Sequence, residues 1–280
     1  MKDNNLEKII IETVDIPSLP SVAMKVLKLM NNDNSSISEL ENIVLADQSF
    51  STRLLRIANS PYYGRGRTID TISTSIILIG FNTMKNLVVA ASMKDLHRNF
   101  GSIEQKLWEH SLGVSIAASL LAFETKLVQS EEALVAGLIH DVGKTVLNNS
   151  MPDTYTLITD RVAKENNSFV NIEEDMLKFN HCGVGGLIAR KWKLPKNLEV
   201  IIEYHHTDKL PPSVDSSYET ICRLLSVADK MCLIAGIGFS RQMEADDIGF
   251  QNIGLSEKKF SEILDKLQKT YNEQRDELLQ

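Results

Sequence analysis

The stretch Ala136-Gly137-Leu138-Ile139-His140-Asp141-Val142-Gly143-Lys144 sets two side chains of metal-ligand type at the end of an apolar helical turn, between glycines that let other groups come close. Neighbouring positions on a helix point about 100° apart, yet an imidazole and a carboxylate can still converge on an ion lying off the helix between those directions. Both are good ligands for zinc, manganese or iron. A single His-Asp pair arises by chance in ordinary proteins and reads equally well as a capped turn, so its meaning depends on the rest of the chain.

Outward from this stretch the sequence reads as helix. Runs alternating Val, Ile, Thr and aromatic residues between turn residues are few, whereas apolar positions recur in steps of three and four. Val22, Val26, Leu29 and Met30 share one helix face, which Asn31-Asn32-Asp33-Asn34 ends. Ser36 and Glu39 stand at capping-box spacing ahead of Leu40, Ile43 and Val44. Another helix is expected over Ser51 to Ala58, broken by Asn59-Ser60-Pro61, Gly64 and Gly66. Thr71 to Ile79 and Thr83 to Met93 carry apolar residues on nearly all sides, as expected of buried helices, and meet at Gly80.

Longer helices follow over Glu104 to Thr125, Ser130 to Val146, Pro152 to Asn166, Ile172 to Trp192, Leu198 to Tyr204 and Tyr218 to Ala235. The final helix, from about Ser256, is expected to dock on the body through Phe260, Ile263, Leu264 and Leu267. The fold class is therefore all-α. An N-terminal bundle (residues 1–98) packs against a second helical unit (residues 99–280), with the boundary in the hydrophilic segment Asp95 to Gly101.

Composition narrows the function. With 280 residues, 43% hydrophobic and 24% charged, the chain can bury a substantial core. Cys182, Cys222 and Cys232 are odd in number and lack paired spacing, which argues against a disulfide framework or a cysteine-based zinc site. Met1 to Lys8 lacks a secretion signal, and the most apolar stretches are interrupted or too short to span a bilayer. The expected location is the cytoplasm, away from membranes. A net charge of −7 and an isoelectric point near 5.5 disfavour nucleic acid as a partner. Arg53, Arg56, Arg65 and Arg67 form the one basic run, which reads as a solvated helix face and loop.

Five of the six histidines lie in the second half beside apolar helices, and only His97 sits in a polar connector. His110, His140 with Asp141, His181, the pair His205 and His206, and Asp229 occupy different predicted helices. Singly, each reads as a hydrogen-bonded histidine or a buried acid. Jointly they match the way helical metal sites are built, with inward ligands from several helices.

Ile16-Pro17-Ser18-Leu19-Pro20, Leu54-Leu55-Arg56-Ile57-Ala58-Asn59-Ser60 with Tyr63-Gly64, and Ile76 through Leu78-Ile79-Gly80 resemble the N-terminal half of the HDOD (HD-related output domain) family. Gly137 to Lys144, His181-Cys182-Gly183-Val184-Gly185, Trp192-Lys193-Leu194-Pro195 and His205-His206 resemble its second half, within the HD superfamily of metal-dependent phosphohydrolases. The resemblance covers residues 15–235. It implies an all-helical bacterial signal-transduction module that acts by contact with signalling proteins.

The resemblance also implies one ion on His110, His140, Asp141 and Asp229, with Asp141 bridging to a second ion on His181, His205 and His206. The cofactor expected is a divalent transition metal, one ion or two, with Fe, Mn, Zn and Ni all compatible with such ligands. If the site is enzymatic, the reaction is phosphohydrolysis of a nucleotide or phosphodiester with Asp141 and Lys144 as catalytic residues, and a phosphorylated nucleotide is the ligand. Lys144 reads alternatively as a solvated surface lysine. Two departures stand out: Asp47-Gln48 replaces a common Asp-Pro, and His205-His206-Thr207-Asp208-Lys209-Leu210-Pro211 lacks the Gly-Tyr-Pro element of cyclic-di-GMP phosphodiesterases. The second speaks against cyclic-dinucleotide hydrolysis.

Overall fold

A computed structural model of the chain describes residues 10–30, 35–59, 69–96, 101–207 and 209–279. The Asn31 to Asn34 stop, the Tyr62-Tyr63 loop, Arg65, Arg67, His97 and Asp208 lie outside the described residues, as does the segment Met1 to Lys8. Among the described residues every regular element is a helix, and no helix is long and apolar enough to cross a membrane.

The N-terminal half comprises α1 (Ser21–Met30), α2 (Ile37–Leu45), α3 (Gln48–Ala58), α4 (Ile72–Ile79) and α5 (Phe81–Ala91). The boundaries follow capping chemistry. Ser36 Oγ accepts from the Glu39 amide at 3.2 Å while the Glu39 carboxylate accepts from the Ser36 amide at 2.8 Å, so each satisfies a first-turn donor that lacks a carbonyl ahead of it. Asp47 caps α3 by accepting from the Phe50 amide at 2.9 Å. Gly80 at φ +93° joins α4 to α5 in a conformation that favours glycine. One expectation is corrected here: α4 is not buried all round, because Ile77 and Leu78 are 71% and 51% exposed. Within the basic run, Arg53 bonds Asp95 at 2.7 Å and is largely covered.

The second half comprises α6 (Ser102–Thr125), α7 (Ser130–Ile139), α8 (Val142–Ser150), α9 (Pro152–Glu165), α10 (Phe169–Leu177), α11 (His181–Trp192), α12 (Lys196–Tyr204), α13 (Glu219–Ala235), α14 (Ala245–Ile248) and α15 (Glu257–Leu279). The central helix is α6, buried along most of its length from Leu107 to Ala122 and packed by α7, α13 and α15. Its neighbour α7 comes very close at Gly137, where an added Cβ would lie 2.6 Å from the Ser115 Cα. The terminal helix docks as expected, with Phe260, Ile263 and Leu267 buried. One apolar cluster runs from Ile10 to Tyr271. Polar ties join the halves as well: Trp192 Nε1 donates to the Pro17 carbonyl at 3.0 Å, and Asn149 Nδ2 to that of Leu96 at 2.6 Å.

Two expected helices are each two. The run Ser130 to Val146 breaks at His140-Asp141, where Asp141 takes φ −97° and ψ 17°, outside the helical basin. The run Ile172 to Trp192 breaks at Lys178, which is left-handed at φ 68°. There Asn180 accepts from the amides of Cys182 and Gly183 at 3.0 and 3.1 Å, starting α11 afresh with an Asn cap. Both breaks fall beside the candidate ligands.

At Gly143 α8 meets α11 backbone to backbone: an added Cβ would lie 2.0 Å from the His181 carbonyl oxygen and 3.0 Å from the Gly185 nitrogen. Backbone atoms cannot rotate aside, so Gly143→Ala is expected to lower stability by about 2 kcal/mol or more. At Gly183 the nearest atom would be Ile10 Cδ1 at 3.8 Å, and Gly183→Ala is expected to stay within about 1 kcal/mol of the parent. Urea unfolding followed by circular dichroism checks both, and equal midpoints for the two variants would refute the close approach.

Candidate metal centre

The break between α7 and α8 turns Asp141 inward between two groups of histidines. Its Oδ2 lies 3.3 Å from His140 Nε2 and 3.7 Å from His110 Nε2. Its Oδ1 lies 3.4 Å from His181 Nε2 and 3.5 Å from His205 Nε2. Asp229, from the middle of α13, closes the first group at 2.8 Å from His110 Nε2 and 4.0 Å from His140 Nε2. His206 completes the second group, its ring 4.2 Å from that of His205 and 5.2 Å from that of His181. All seven residues expected from the sequence are thus brought together. Six are almost wholly buried, and His206 keeps 23% side-chain exposure.

The outer ring nitrogens fix how these histidines face the centre. His140 Nδ1 donates to the Gly137 carbonyl at 2.7 Å, His205 Nδ1 to that of Ile202 at 2.9 Å, and His110 Nδ1 to that of Ile237 at 3.3 Å. A carbonyl only accepts, so each inner Nε2 carries the lone pair when the ring is neutral. Three inner atoms, His140 Nε2, Asp141 Oδ1 and His181 Nε2, are buried without any hydrogen-bond partner. Such orphans are costly in a dry interior. His110 faces acceptors on both sides, the Ile237 carbonyl at 3.3 Å and the Asp229 carboxylate at 2.8 Å, a conflict that a metal ion between His110 and Asp229 would remove. The buried groups fit a metal by chemistry as well as by position: inner atoms free, outer atoms tied to carbonyls or a carboxylate.

Charge is balanced locally. Burial alone would raise the Asp141 pKa, but the charges of His140 and Lys144 hold it well below the usual carboxylate range. Burial likewise pushes Lys144 toward neutrality and is outweighed by Asp141, Asp229 and Glu173, so its pKa is raised. The Lys144 ammonium sits 2.6 Å from Asp141 Oδ2 and 4.4 Å from the centre of the Phe169 ring, at 2% exposure; it is not a solvated lysine. His206 is pushed well below the ordinary histidine value by burial and by the charge of His205, which keeps a lone pair available.

Three residues not singled out from the sequence belong to this region. Glu173 of α10 is fully buried and accepts from His181 Nδ1 at 2.6 Å, the His181 amide at 2.8 Å and the Tyr155 hydroxyl at 2.9 Å. Its signal was present: it lies four positions after Phe169, on the apolar face of the helix. Tyr155 is held protonated by burial and by the Glu173 charge, as a donor requires. Cys182 places its Sγ 3.9 Å from His205 Nε2 and groups with His181, His205 and His206 within ligand range. Only its neighbour in sequence, His181, could have pointed to it.

The HDOD domain model matches residues 16–208. The chain belongs to the HDOD family. The match covers six of the seven clustered residues and ends before Asp229, which the fold returns to the site. An HDOD domain protein of Geobacter sulfurreducens has the same fold, with a TM-score of 0.72, 24% identity, and coverage of 99% of this chain and 96% of that one. An uncharacterised protein of Treponema pallidum (strain Nichols) is 24% identical over 69% of this chain and 38% of its own length. Ribonuclease Y of Mycoplasma genitalium is 28% identical over 55% of this chain and 26% of its own. The matched regions thus span well under half the length of these curated relatives.

Removing the Glu173 carboxylate strands three buried donors. Glu173→Ala is expected to cost about 3 kcal/mol or more, with Glu173→Gln, which keeps one acceptor oxygen, in between. Urea unfolding of chelator-treated protein measures this free of any metal contribution, and a cost below about 1 kcal/mol for the Ala variant would refute the assigned role.

Proposed function

We propose that this chain is a bacterial regulatory HDOD module whose His/Asp centre holds a divalent transition metal, and that it works by contact with signalling proteins. The observation that carries the metal is the set of buried inner atoms without partners, on His140, Asp141 and His181. His110, His140, Asp141 and Asp229 would hold one ion, and His181, His205 and His206 a second, joined through the two oxygens of Asp141. Asp141 and Lys144 would be the catalytic residues only if the site turns over. A bound ion would supply Lewis acidity and tie together α6, α11, α12, α13 and the α7–α8 break. Because all ligands but His206 are closed off from solvent, that tie suits a module whose shape depends on its metal. The exposed Ile77 and Leu78 of α4 give a partner an apolar foothold.

Elemental analysis of the purified chain is expected to find a transition metal near stoichiometric amounts, reduced about tenfold or more by Asp141→Ala, since that carboxylate faces both groups. Metal at background in the parent would sink this reading.

One observation favours a second reading, a metal-dependent phosphohydrolase acting on a nucleotide or phosphodiester: a cavity of about 230 Å³ reaches the centre, with Lys144, His206 and Asp229 in its wall. The relative named Ribonuclease Y points the same way. Here Lys144, oriented by Asp141, would meet a phosphate oxygen as a point charge. A panel of nucleotides and phosphodiesters with manganese or iron decides between the two. Turnover lost in His140→Ala would establish the enzyme, and no turnover across the panel leaves the regulatory module.

A further inference from the structure

The wall of the cavity beside the centre holds two cations with no assigned work. Lys230 follows Asp229 on α13, and Arg241 lies just beyond that helix; both line the cavity. Neither side chain has a hydrogen bond or an ion pair among the described residues, and Arg241 Nε is buried without a partner. The other charged groups of the wall are committed, Lys144 to Asp141 and Asp229 to His110. The uncommitted charge of this cavity is therefore positive, within a chain of net charge −7.

The Arg241 backbone is also held in place. Its amide donates to the Leu233 carbonyl at 3.1 Å. The next residue, Gln242, is clamped by the side chain of Asn166, which donates to the Gln242 carbonyl and accepts from its amide, both at 3.0 Å. Arg241 is thus presented from a fixed point, which lowers the ordering cost of using it. The wall also includes Asn167, Ser168, Phe169 and Val170, where α10 begins. Ser168 Oγ takes the Asn171 amide of that first turn at 3.1 Å, and the helix dipole adds positive potential at the same end.

We infer that this cavity binds the phosphate or diphosphate group of a small ligand, with Arg241 and Lys230 meeting its oxygens. A guanidinium offers paired donors that match a phosphate, and an ammonium adds a point charge. The volume decides the scale: about 230 Å³ is below the roughly 300 Å³ at which sites for whole drug-sized molecules begin, so the enclosed part of the ligand is its phosphate end. The inference rests on the metal reading only for the orientation of that end toward the centre. Arg241 and Lys230 stand in the wall whether or not an ion is bound.

The test is calorimetric titration of pyrophosphate into the full chain after chelator treatment, so that the probe cannot act by withdrawing metal. Saturable binding is expected in the parent, weakened about tenfold or more in Arg241→Gln and further in the Lys230→Gln, Arg241→Gln double variant. Succinate, a dianion without phosphate geometry, is expected to bind at least about tenfold more weakly than pyrophosphate. No binding by the parent, affinity unchanged in the double variant, or equal affinity for succinate would overturn the inference. Metal content, read separately on untreated samples, is expected to be unchanged in both variants. A parent that binds pyrophosphate but carries no metal would defeat the metal reading alone, and a metal-loaded parent that ignores pyrophosphate would defeat this one alone.

Discussion

Burying the Asp141 carboxylate at 3% exposure would cost several kcal/mol if nothing compensated it, and the surrounding helices are arranged around that requirement. Lys144 reaches it from one turn later on α8, while His110, His140, His181 and His205 approach from four directions. For His181 to come so near, α8 and α11 must touch backbone to backbone, which Gly143 alone permits. For Asp141 to point at the histidines rather than along the helix surface, α7 must end before it. Break, close approach and ion pair are consequences of placing one charge in a dry interior.

That arrangement explains what could and could not be read from the chain. Helix class, the docking of Phe260, Ile263 and Leu267, and the capping box at Ser36 are local or periodic properties, so they stand in the sequence itself. The gathering of His110, His140, Asp141, His181, His205, His206 and Asp229 was legible because ligand-type residues recur beside apolar stretches in helix after helix. The two helix breaks were not. Nothing in the propensity of His140-Asp141 marks an end, since the break is imposed by tertiary contacts at Gly143 and by the inward turn of the carboxylate. Lys178 breaks its helix in a left-handed conformation that glycine or asparagine would normally signal. Glu173 was overlooked for a different reason: its spacing from Phe169 puts it on the apolar face, but an acid in a helix reads as a surface residue until its partners, His181 and Tyr155, are known.

The outer partners say more about the centre than the inner ones. A cluster of imidazoles and carboxylates could satisfy itself through protons, and His110 with Asp229 at 2.8 Å is compatible with that. His140 and His181 are not so easily accounted for. Each commits its outer nitrogen to an acceptor and leaves the inner one with nothing, although Asp141 Oδ1, also without a partner, lies 3.4 Å from His181 Nε2. A self-contained hydrogen-bond network would have closed such a gap, because a half-satisfied buried network is worse than an apolar core. Atoms held apart and aimed at one point fit a cation between them.

Charge on the cavity side follows the same logic. Lys144 is bound to Asp141, so its positive charge is largely spent within the centre and cannot by itself draw an anion inward. Lys230 and Arg241 have no such internal partner, and their charge projects into the cavity. An apolar side chain would have lined the wall at lower desolvation cost, and an acidic chain gains nothing in fold from two unpaired cations beside a metal-type site. Their position is accounted for by a ligand that brings the opposite charge to the wall. That holds under either reading of the centre: a regulatory module would sense such a ligand, and a phosphohydrolase would cleave it.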